Sequence, residues 1–332
     1  MNDIARDAGV SLKTVSRVVN RVASVDPEMT DRVLASIRRL DYRRNDLAAN
    51  LRSGTETRTI GFVTADLQNA FYTPIATALG AVASTRGFHL ITASSDEDPD
   101  VERITTLDLC QRRVSALVVV PTSGDHGYLA PDVASGVPVV FVDRPGSGLL
   151  ADEVLLDNSG GAASAISDLI DRGHHRIGLL LDKPEIHTMR ERLVGAEKAL
   201  AAGGLALDPA LVSYSVHVPE DVPAALSAML ALDDPPTAVF CGNNRALIGA
   251  VEYVWHAGIH LQISGFDDFE TSRLLPLQVT IVGYDAAELG RTAAGLIFDR
   301  LDGDDSPPHR VLLPTELLVR GGVPSAASLS HL

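Results

Sequence analysis

From Thr59 onward the chain alternates short, continuous apolar runs with longer stretches of helical periodicity, and this alternation constrains its fold more than any other feature. Ile60-Gly61-Phe62-Val63 is followed by a helical stretch from Pro74 to Arg86, and His89-Leu90-Ile91-Thr92-Ala93 by another from Val101 to Gln111. Ala116-Leu117-Val118-Val119-Val120 and Val137-Pro138-Val139-Val140-Phe141-Val142 complete a first set. A second set comprises a helix from Ala162 to Arg172, the run Ile177-Gly178-Leu179-Leu180-Leu181, a helix from Thr188 to Ala202, and Ala238-Val239-Phe240-Cys241. Apolar runs this short, bounded by turn residues, read as strands buried on both faces. Strands separated by helices pair in parallel, because a parallel neighbour needs a crossover. Two such sets imply two α/β lobes, with ligands bound beyond the carboxyl ends of the strands.

The first 58 residues follow a different rule. Ile4, Ala5 and Ala8 share one face of a short helix over residues 3–9, which Gly9 closes. Ser11 suits the N-cap of a second helix, Leu12 to Asn20, with Val15, Val18 and Val19 inward and Lys13, Thr14, Ser16 and Arg17 outside. Pro27 opens a third helix to Leu40, with Val33, Leu34, Ile37 and Leu40 inward. Two short helices joined by a glycine-containing turn make a helix-turn-helix. Its second helix carries polar and basic side chains near its N-terminus, as a major-groove reader does. Spacing by itself fits a plain three-helix bundle equally well.

Charge separates the same two parts. The formal net charge is −15, which would argue against a nucleic-acid partner if evenly spread. Residues 1–58 carry 11 basic and 8 acidic side chains, a net of +3, so the remainder carries −18. Such asymmetry points to parts with different partners. With 45% hydrophobic and 21% charged residues the composition is that of a globular chain. No apolar run approaches the ~20 residues of a membrane helix, and Met1 to Asp7 lacks the apolar core of a signal peptide. Cys110 and Cys241, without metal-ligand spacing, predict a cytoplasmic protein with no disulfide. No phosphate-loop, dinucleotide or nucleophile-elbow motif occurs, so no catalytic residue and no cofactor is expected. His174-His175 lacks a partner at ligand spacing and is read as structural, so no metal site is expected.

The N-terminal run Ile4-Ala5-Arg6-Asp7-Ala8-Gly9-Val10-Ser11-Leu12-Lys13-Thr14-Val15-Ser16-Arg17-Val18-Val19-Asn20, continued by Asn45-Asp46-Leu47-Ala48-Ala49-Asn50-Leu51-Arg52-Ser53-Gly54, resembles the headpiece and hinge of the LacI/GalR transcriptional regulators. The rest resembles that family's periplasmic-binding-protein-like effector domain through Ser94-Asp96-Glu97-Asp98, Val142-Asp143-Arg144-Pro145, Gly173-His174-His175-Arg176-Ile177, Arg190-Glu191-Arg192-Leu193-Val194-Gly195 and Gly265-Phe266-Asp267-Asp268. The resemblance implies a headpiece over 1–44, a hinge helix and linker over 45–58, and an effector and dimerisation domain over 59–332. Lobe one would take about 59–157 plus 283–306, and lobe two 158–282 plus 307–322. Leu12, Lys13 and Arg17 match base-reading positions, and Thr14, Ser16 and Asn20 match phosphate-contacting ones. Leu51 matches the leucine wedged into the minor groove at the operator centre. In the cleft the resemblance implicates Asp66, Phe71, Tyr72, Asp143, Arg192, Asn243 and Asp267, with Arg192 and Asp267 foremost because a bidentate guanidinium and a carboxylate can fix ring hydroxyls. His217 falls where members often carry an aromatic lining residue.

Three departures stand out. Members usually begin a few residues earlier with a Thr capping the first helix; here Asn2 gives a weaker start, or translation begins upstream. The usual Asn-Asp after the Ala238–Cys241 strand is Asn243-Asn244-Arg245, which removes a carboxylate and brings in a cation. The chain is about four residues short between Gly258 and Gly265, so the strand Gln262-Ile263-Ser264 should be short or displaced. The expected function is a homodimeric repressor that binds a near-palindromic operator in double-stranded DNA under the control of a small effector, a sugar or related polyol, with no membrane partner. A solute-binding receptor and an α/β sugar or nucleotide enzyme are the alternatives; the headpiece opposes the first and the missing catalytic motif the second.

Overall fold

The computed structural model describes residues 1–19, 25–41 and 57–322, which form two compact units divided between Thr57 and Arg58. The hinge stretch 46–51, with Leu51, and Asn20 of the second helix lie outside the described residues.

The N-terminal unit holds α1 (Asn2–Ala8), α2 (Leu12–Val19) and α3 (Pro27–Arg39). Ile4, Ala8, Val15, Val18 and Val33 form its core. Gly9 adopts the left-handed conformation that ends α1 (φ 62°). Met1 precedes α1 without a side-chain cap, and Asn2 lies inside the helix rather than capping it. Asp26 caps α3 by accepting from the Glu28 and Met29 amides, and Pro27 supplies the preset φ of the first turn. The inward face of α3 differs from the expected one. Leu34 and Leu40 are exposed, whereas Ser36 is fully buried. The helix is rotated so that Ser36 Oγ donates to the Asp7 carboxylate (2.5 Å), which Arg39 also grips. Those two donors hold the Asp7 carboxyl below its ordinary range. A polar tie between α1 and α3 thus decides which residues of α3 face inward.

The second unit contains two six-stranded sheets. The first has the order β11-β5-β4-β3-β1-β2. Its strands are β1 (Thr57–Thr64), β2 (His89–Ser94), β3 (Val114–Val119), β4 (Val139–Val142), β5 (Asp152–Leu156) and β11 (Arg310–Leu313). Its helices are α4 (Tyr72–Thr85), α5 (Pro99–Gln111), the short α6 (Ala130–Ala134) and α11 (Ala286–Leu301). The second sheet has the order β12-β10-β9-β8-β6-β7, with β6 (Ile177–Leu180), β7 (Val212–Ser213), β8 (Ala238–Cys241), β9 (Gln262–Phe266), β10 (Val279–Gly283) and β12 (Glu316–Arg320). Its helices are α7 (Asn158–Asp171), α8 (His187–Ala202), α9 (Val222–Leu230) and α10 (Asn244–Ala257). The β10–β12 pair is antiparallel, whereas β1–β2, β3–β4, β4–β5, β5–β11, β6–β7, β6–β8, β8–β9 and β9–β10 are parallel.

The chain passes between the lobes three times, after β5, after β10 and after β11. Because β11 pairs with β5, Arg310–Leu313 belongs to the first sheet and the last crossing falls at Pro314-Thr315, later than the break expected between residues 306 and 307. The expected short or displaced strand near Gly265 is instead a five-residue β9, in register with β8 through Ala238↔Gln262 and with β10 through Val279↔Ile263. The connection after α10 turns tightly, with Gly258 in the left-handed conformation (φ 63°). The helix layers pack with the same device in both lobes. A Cβ on Gly290 of α11 would meet the Ile75 carbonyl of α4 at 2.3 Å, and one on Gly195 of α8 would meet the Ser159 carbonyl of α7 at 2.1 Å. Only glycine admits backbones this close.

Candidate functional site

On the headpiece, α2 shows its polar face. Ser11 Oγ accepts from the Thr14 amide (3.1 Å), so the helix starts where expected. Val15 and Val18 are buried, Leu12, Lys13 and Arg17 are exposed, and Thr14 and Ser16 are half-buried. Leu12, at 49% exposure, is an apolar side chain kept out of the core at the helix N-terminus. Lys13 and Arg17 form no ion pair among the described residues, so both cations stay available to an external acceptor. The arrangement is that of a major-groove reader: a buried valine stripe fixes the helix while its N-terminal turn points outward.

The second unit carries a cavity of about 800 Å³ between the lobes. Asp66, Phe71, Tyr72, Asp143, Arg192, Asn243 and Asp267 all line it; Arg192 comes from the second turn of α8, and the others from segments that follow a strand or start a helix. Asp143 ends β4 and Asp267 ends β9, in equivalent places of the two lobes. Both adopt left-handed backbone (φ 70° and 72°), and both amides bond onward to the next strand, Asp143 to the Val154 carbonyl (2.9 Å) and Asp267 to the Val282 carbonyl (3.1 Å). A non-glycine residue in this region costs energy and recurs at binding sites.

Arg192 is the best-held side chain of the cleft. Nη1 and Nη2 donate to Asp267 Oδ2 and Oδ1 (3.0 and 3.1 Å), Nε donates to Asn158 Oδ1 (2.9 Å), and Nη1 also reaches the Gly242 carbonyl. Its guanidinium lies 3.6 Å from the centroid of the Phe266 ring. Tyr284 adds a hydrogen bond to Asp267 Oδ1 (2.6 Å). Burial raises the Tyr284 phenol well above its ordinary value, so it remains a donor. Arg192 and Asp267 therefore form one rigid, mutually neutralised wall with few free valences.

Asp143 is different. Among the described residues its carboxylate makes no side-chain hydrogen bond, and its one ion-pair neighbour is Arg144 Nε at 3.5 Å. Burial pushes its carboxyl up to about 6, against the pull of Arg144 and Arg192. Arg144 is taken up by a bidentate bond to Glu97 (2.7 and 2.6 Å). Phe71, Tyr72 and Tyr284 form an aromatic corner, with centroids 4.9 Å and 5.7 Å apart from Phe71 in edge-to-face geometry.

Two expected residues do more structural work than anticipated. Asn243 Oδ1 caps α10 by accepting from the Ala246 amide (2.8 Å), which leaves its NH₂. Asp66 accepts from the Gln68 amide through Oδ1 (2.7 Å) and from Arg245 through Oδ2 (2.5 Å). Arg245, the cation that follows Asn243-Asn244, thus crosses from lobe two to lobe one. His217 lines the cavity and holds Asp182 Oδ2 through Nδ1 (2.8 Å). Glu97, Arg144, Phe266 and Tyr284 were not among the expected site residues, although the first three stand in stretches that resemble the family. His174 Nδ1 bonds Thr237 Oγ1 (3.0 Å), which gives that histidine a structural partner. Among the described residues no cluster of His, Cys, Asp or Glu side chains is arranged to hold a metal, and no helix is long and apolar enough to cross a membrane.

A helix-turn-helix unit joined in one chain to a two-lobed α/β unit with a polar central cleft defines a DNA-binding regulator with a binding-protein-like domain. Residues 1–45 match the bacterial regulatory proteins of the lacI family, and residues 166–323 match the periplasmic binding protein-like domain. The HTH-type transcriptional repressor PurR of Mannheimia succiniciproducens is 29% identical over 98% of this chain and 99% of its own. The catabolite control protein A of Priestia megaterium is 28% identical over 96% and 97%. The structure of the transcriptional regulator CelR–cellobiose complex is 27% identical, with a TM-score of 0.71 over 96% of this chain and 98% of that one. The lac repressor dimer bound to operator and the anti-inducer ONPF shares the fold, at 24% identity and a TM-score of 0.82 over 97% and 98%. The chain belongs to the LacI family of transcriptional regulators.

Proposed function

We propose that this regulator is a homodimeric repressor whose operator affinity is set by a hydroxyl-rich small molecule, a sugar or related polyol, held between the two lobes. The observation that carries the reading is the pair of left-handed aspartates at the ends of β4 and β9. They put Asp143 and the Asp267–Arg192 wall into one cavity that both lobes must close around. Asp143 offers acceptors to ligand hydroxyls, Asn243 offers an NH₂, and the Phe71–Tyr72 pair offers an apolar face for a ring. CelR, which shares 27% identity, was solved with cellobiose, in keeping with a sugar-sized occupant here.

Each headpiece would read one half-site, Lys13 and Arg17 donating to guanine acceptors and Leu12 meeting a thymine methyl. Thr14, Ser16 and Asn20 would set register on the phosphates, and Leu51 would wedge into the operator centre. Association of two copies is supported by exposed apolar side chains on both lobes: Ile91 (46%) and Ile104 (68%) on the first, Trp255 (51%) on the second. A ligand changes occupancy only through unequal affinity for the operator-competent and incompetent states. The repressor-like relatives and the cleft's lack of a nucleophile–base pair favour this reading over an enzyme.

The test is a gel shift of the full chain on the DNA upstream of its own coding sequence, with and without sugars and polyols that first raise its melting temperature. A specific shift altered by a stabilising compound is expected. Failure to discriminate that DNA from competitor at moderate salt defeats the proposal. Leu51→Ala should weaken operator binding more than binding to unrelated DNA, and equal losses would reject the wedge.

A further inference from the structure

Beside the central cavity lies a second chamber of about 670 Å³, and the two share Phe71, Asn244 and Asp267. Both lobes build it. Lobe one contributes the starts of α4 and α11, and lobe two contributes Asn244 and the stretch after β9. Phe71 stands between the two spaces. Its ring packs edge-to-face on Tyr72, which lines the central cavity but not the chamber, and on Tyr284, which lines the chamber but not the cavity.

The two spaces differ in chemistry. The central cavity holds Asp143, whose carboxylate makes no side-chain hydrogen bond among the described residues. In the chamber the acids Asp267, Asp268 and Asp285 are each taken up by an arginine, Arg192, Arg320 and Arg291. The other charged lining residues, Glu270 and Arg273, are exposed and of opposite sign. What remains is mainly the rings of Phe71, Phe269 and Tyr284. Such a wall suits the flat apolar face of a neutral ring.

Asn244 is the observation that points to a ligand. It is the first residue of α10, is 9% exposed, and lines both spaces. The capping hydrogen bond of this helix is made by Asn243, and the Asn244 side chain makes none among the described residues. Its amide is not sealed inside the protein, because its nitrogen and oxygen keep contact with the open space. An amide carries two donors and an acceptor, and buried ones are hydrogen-bonded almost without exception. An open, unpartnered amide where two cavities meet is therefore the complement of a ligand's polar group.

We infer that Asn244 is an effector-contacting residue between two subsites, and that the effector is a neutral two-ring glycoside. Its hydroxylated ring lies against Asp143 and the Asp267–Arg192 wall, its glycosidic linkage beside Asn244, and its second ring on Phe71, Phe269 and Tyr284. The second ring is a sugar presenting its C–H face or an aromatic aglycone, which share the flat apolar face the chamber selects. The inference rests on the reading of the cleft as the effector site.

Calorimetric titration of the full chain with three forms of each sugar in a panel, the methyl glycoside, the phenyl glycoside and a disaccharide, is the test. At least one two-ring form should bind about tenfold or more tightly than the methyl glycoside of the same sugar, and the form that does so identifies the second ring. Thr73→Trp fills the chamber from an exposed position that does not line the central cavity. It should abolish the advantage and leave methyl glycoside binding unchanged; an advantage that survives it overturns the chamber. Asn244→Ala should weaken the two-ring form by about threefold to tenfold. Its ligand-free melting temperature should not fall, because the amide has no protein partner to lose. A lowered melting temperature, or unchanged binding, overturns the role of Asn244. Methyl glycosides that bind as tightly as both two-ring forms overturn the second subsite and leave the effector reading standing. If no form of any sugar binds, the effector reading falls and the inference with it.

Discussion

Asp143 is held where its charge is least welcome, and the direction of its titration makes that measurable. Its carboxyl titrates near 6 in the folded chain, above the ordinary 3.8, because burial disfavours the anion. The unfolded chain therefore ionises first as pH rises, and Asp143 costs stability progressively between about pH 4 and pH 6, with the full cost above that window. Asp143→Asn should melt higher than the unaltered protein at pH 8 and equal to it at pH 4, in matched thermal scans. A higher-melting variant at both pH values would show that the gain is not electrostatic. Effector affinity should move the other way, weakening below pH 6 as the acceptor is protonated. Arg192 gives the opposite kind of site. Removing it leaves Asp267 buried without its partner, so Arg192→Ala should destabilise the second unit by about 3–5 kcal/mol, read from denaturant unfolding. A loss under about 1 kcal/mol would show that the wall is not held by this pair. The seven expected cleft residues came from the family resemblance, and the structure lines one cavity with all of them. The roles of Asp66 and Asn243 were not legible in the sequence, because hydrogen bonds to a neighbouring amide or to a cation 179 residues away leave no local pattern.

At the level of elements, strand cores were legible and edges were not. The mostly apolar β3, β4, β6 and β8 announce themselves because they are buried on both faces. The edge strands β11 and β12 alternate exposed and half-buried positions over only four and five residues, and so hide among loops. In α3 apolar periodicity misled: Leu34 and Leu40 obey the spacing, yet the Ser36–Asp7 bond sets the helix rotation. The glycine contact between α7 and α8 gives a prediction at this scale. Gly195→Ala would put a methyl within 2.1 Å of the Ser159 carbonyl and push α8 outward. Overpacking of this kind costs about 1–3 kcal/mol, and because α8 carries Arg192 the variant should also lose effector-induced stabilisation. Unchanged melting and unchanged ligand response would mean that α8 adjusts without moving the cleft.

At the scale of the whole second unit, the Arg245–Asp66 pair is, among the described residues, the only ion pair that joins the front of one lobe to the front of the other through the cavity lining. With side chains about one-quarter exposed, it is a modest restraint, on the order of 1 kcal/mol. It favours lobe closure before any ligand arrives. Arg245→Ala should make the ligand-free unit more open in small-angle scattering, and raising salt should make the unaltered protein approach the variant. Identical scattering profiles at low salt would remove the pair from any role in closure.

The order in which the sheets are completed has a consequence for biosynthesis. The edge strand β11 of the first sheet emerges only after α11, and the edge strand β12 of the second only after β11. Neither lobe is complete on the ribosome until the chain has been made to Arg320, although β1 through β5 were translated some 160 residues earlier. Until then β5 and β10 each present a bare backbone edge, which invites pairing with other chains. The two lobes must therefore finish almost together, and a nascent chain cut short before Glu316 would be a candidate for aggregation rather than a smaller working receptor.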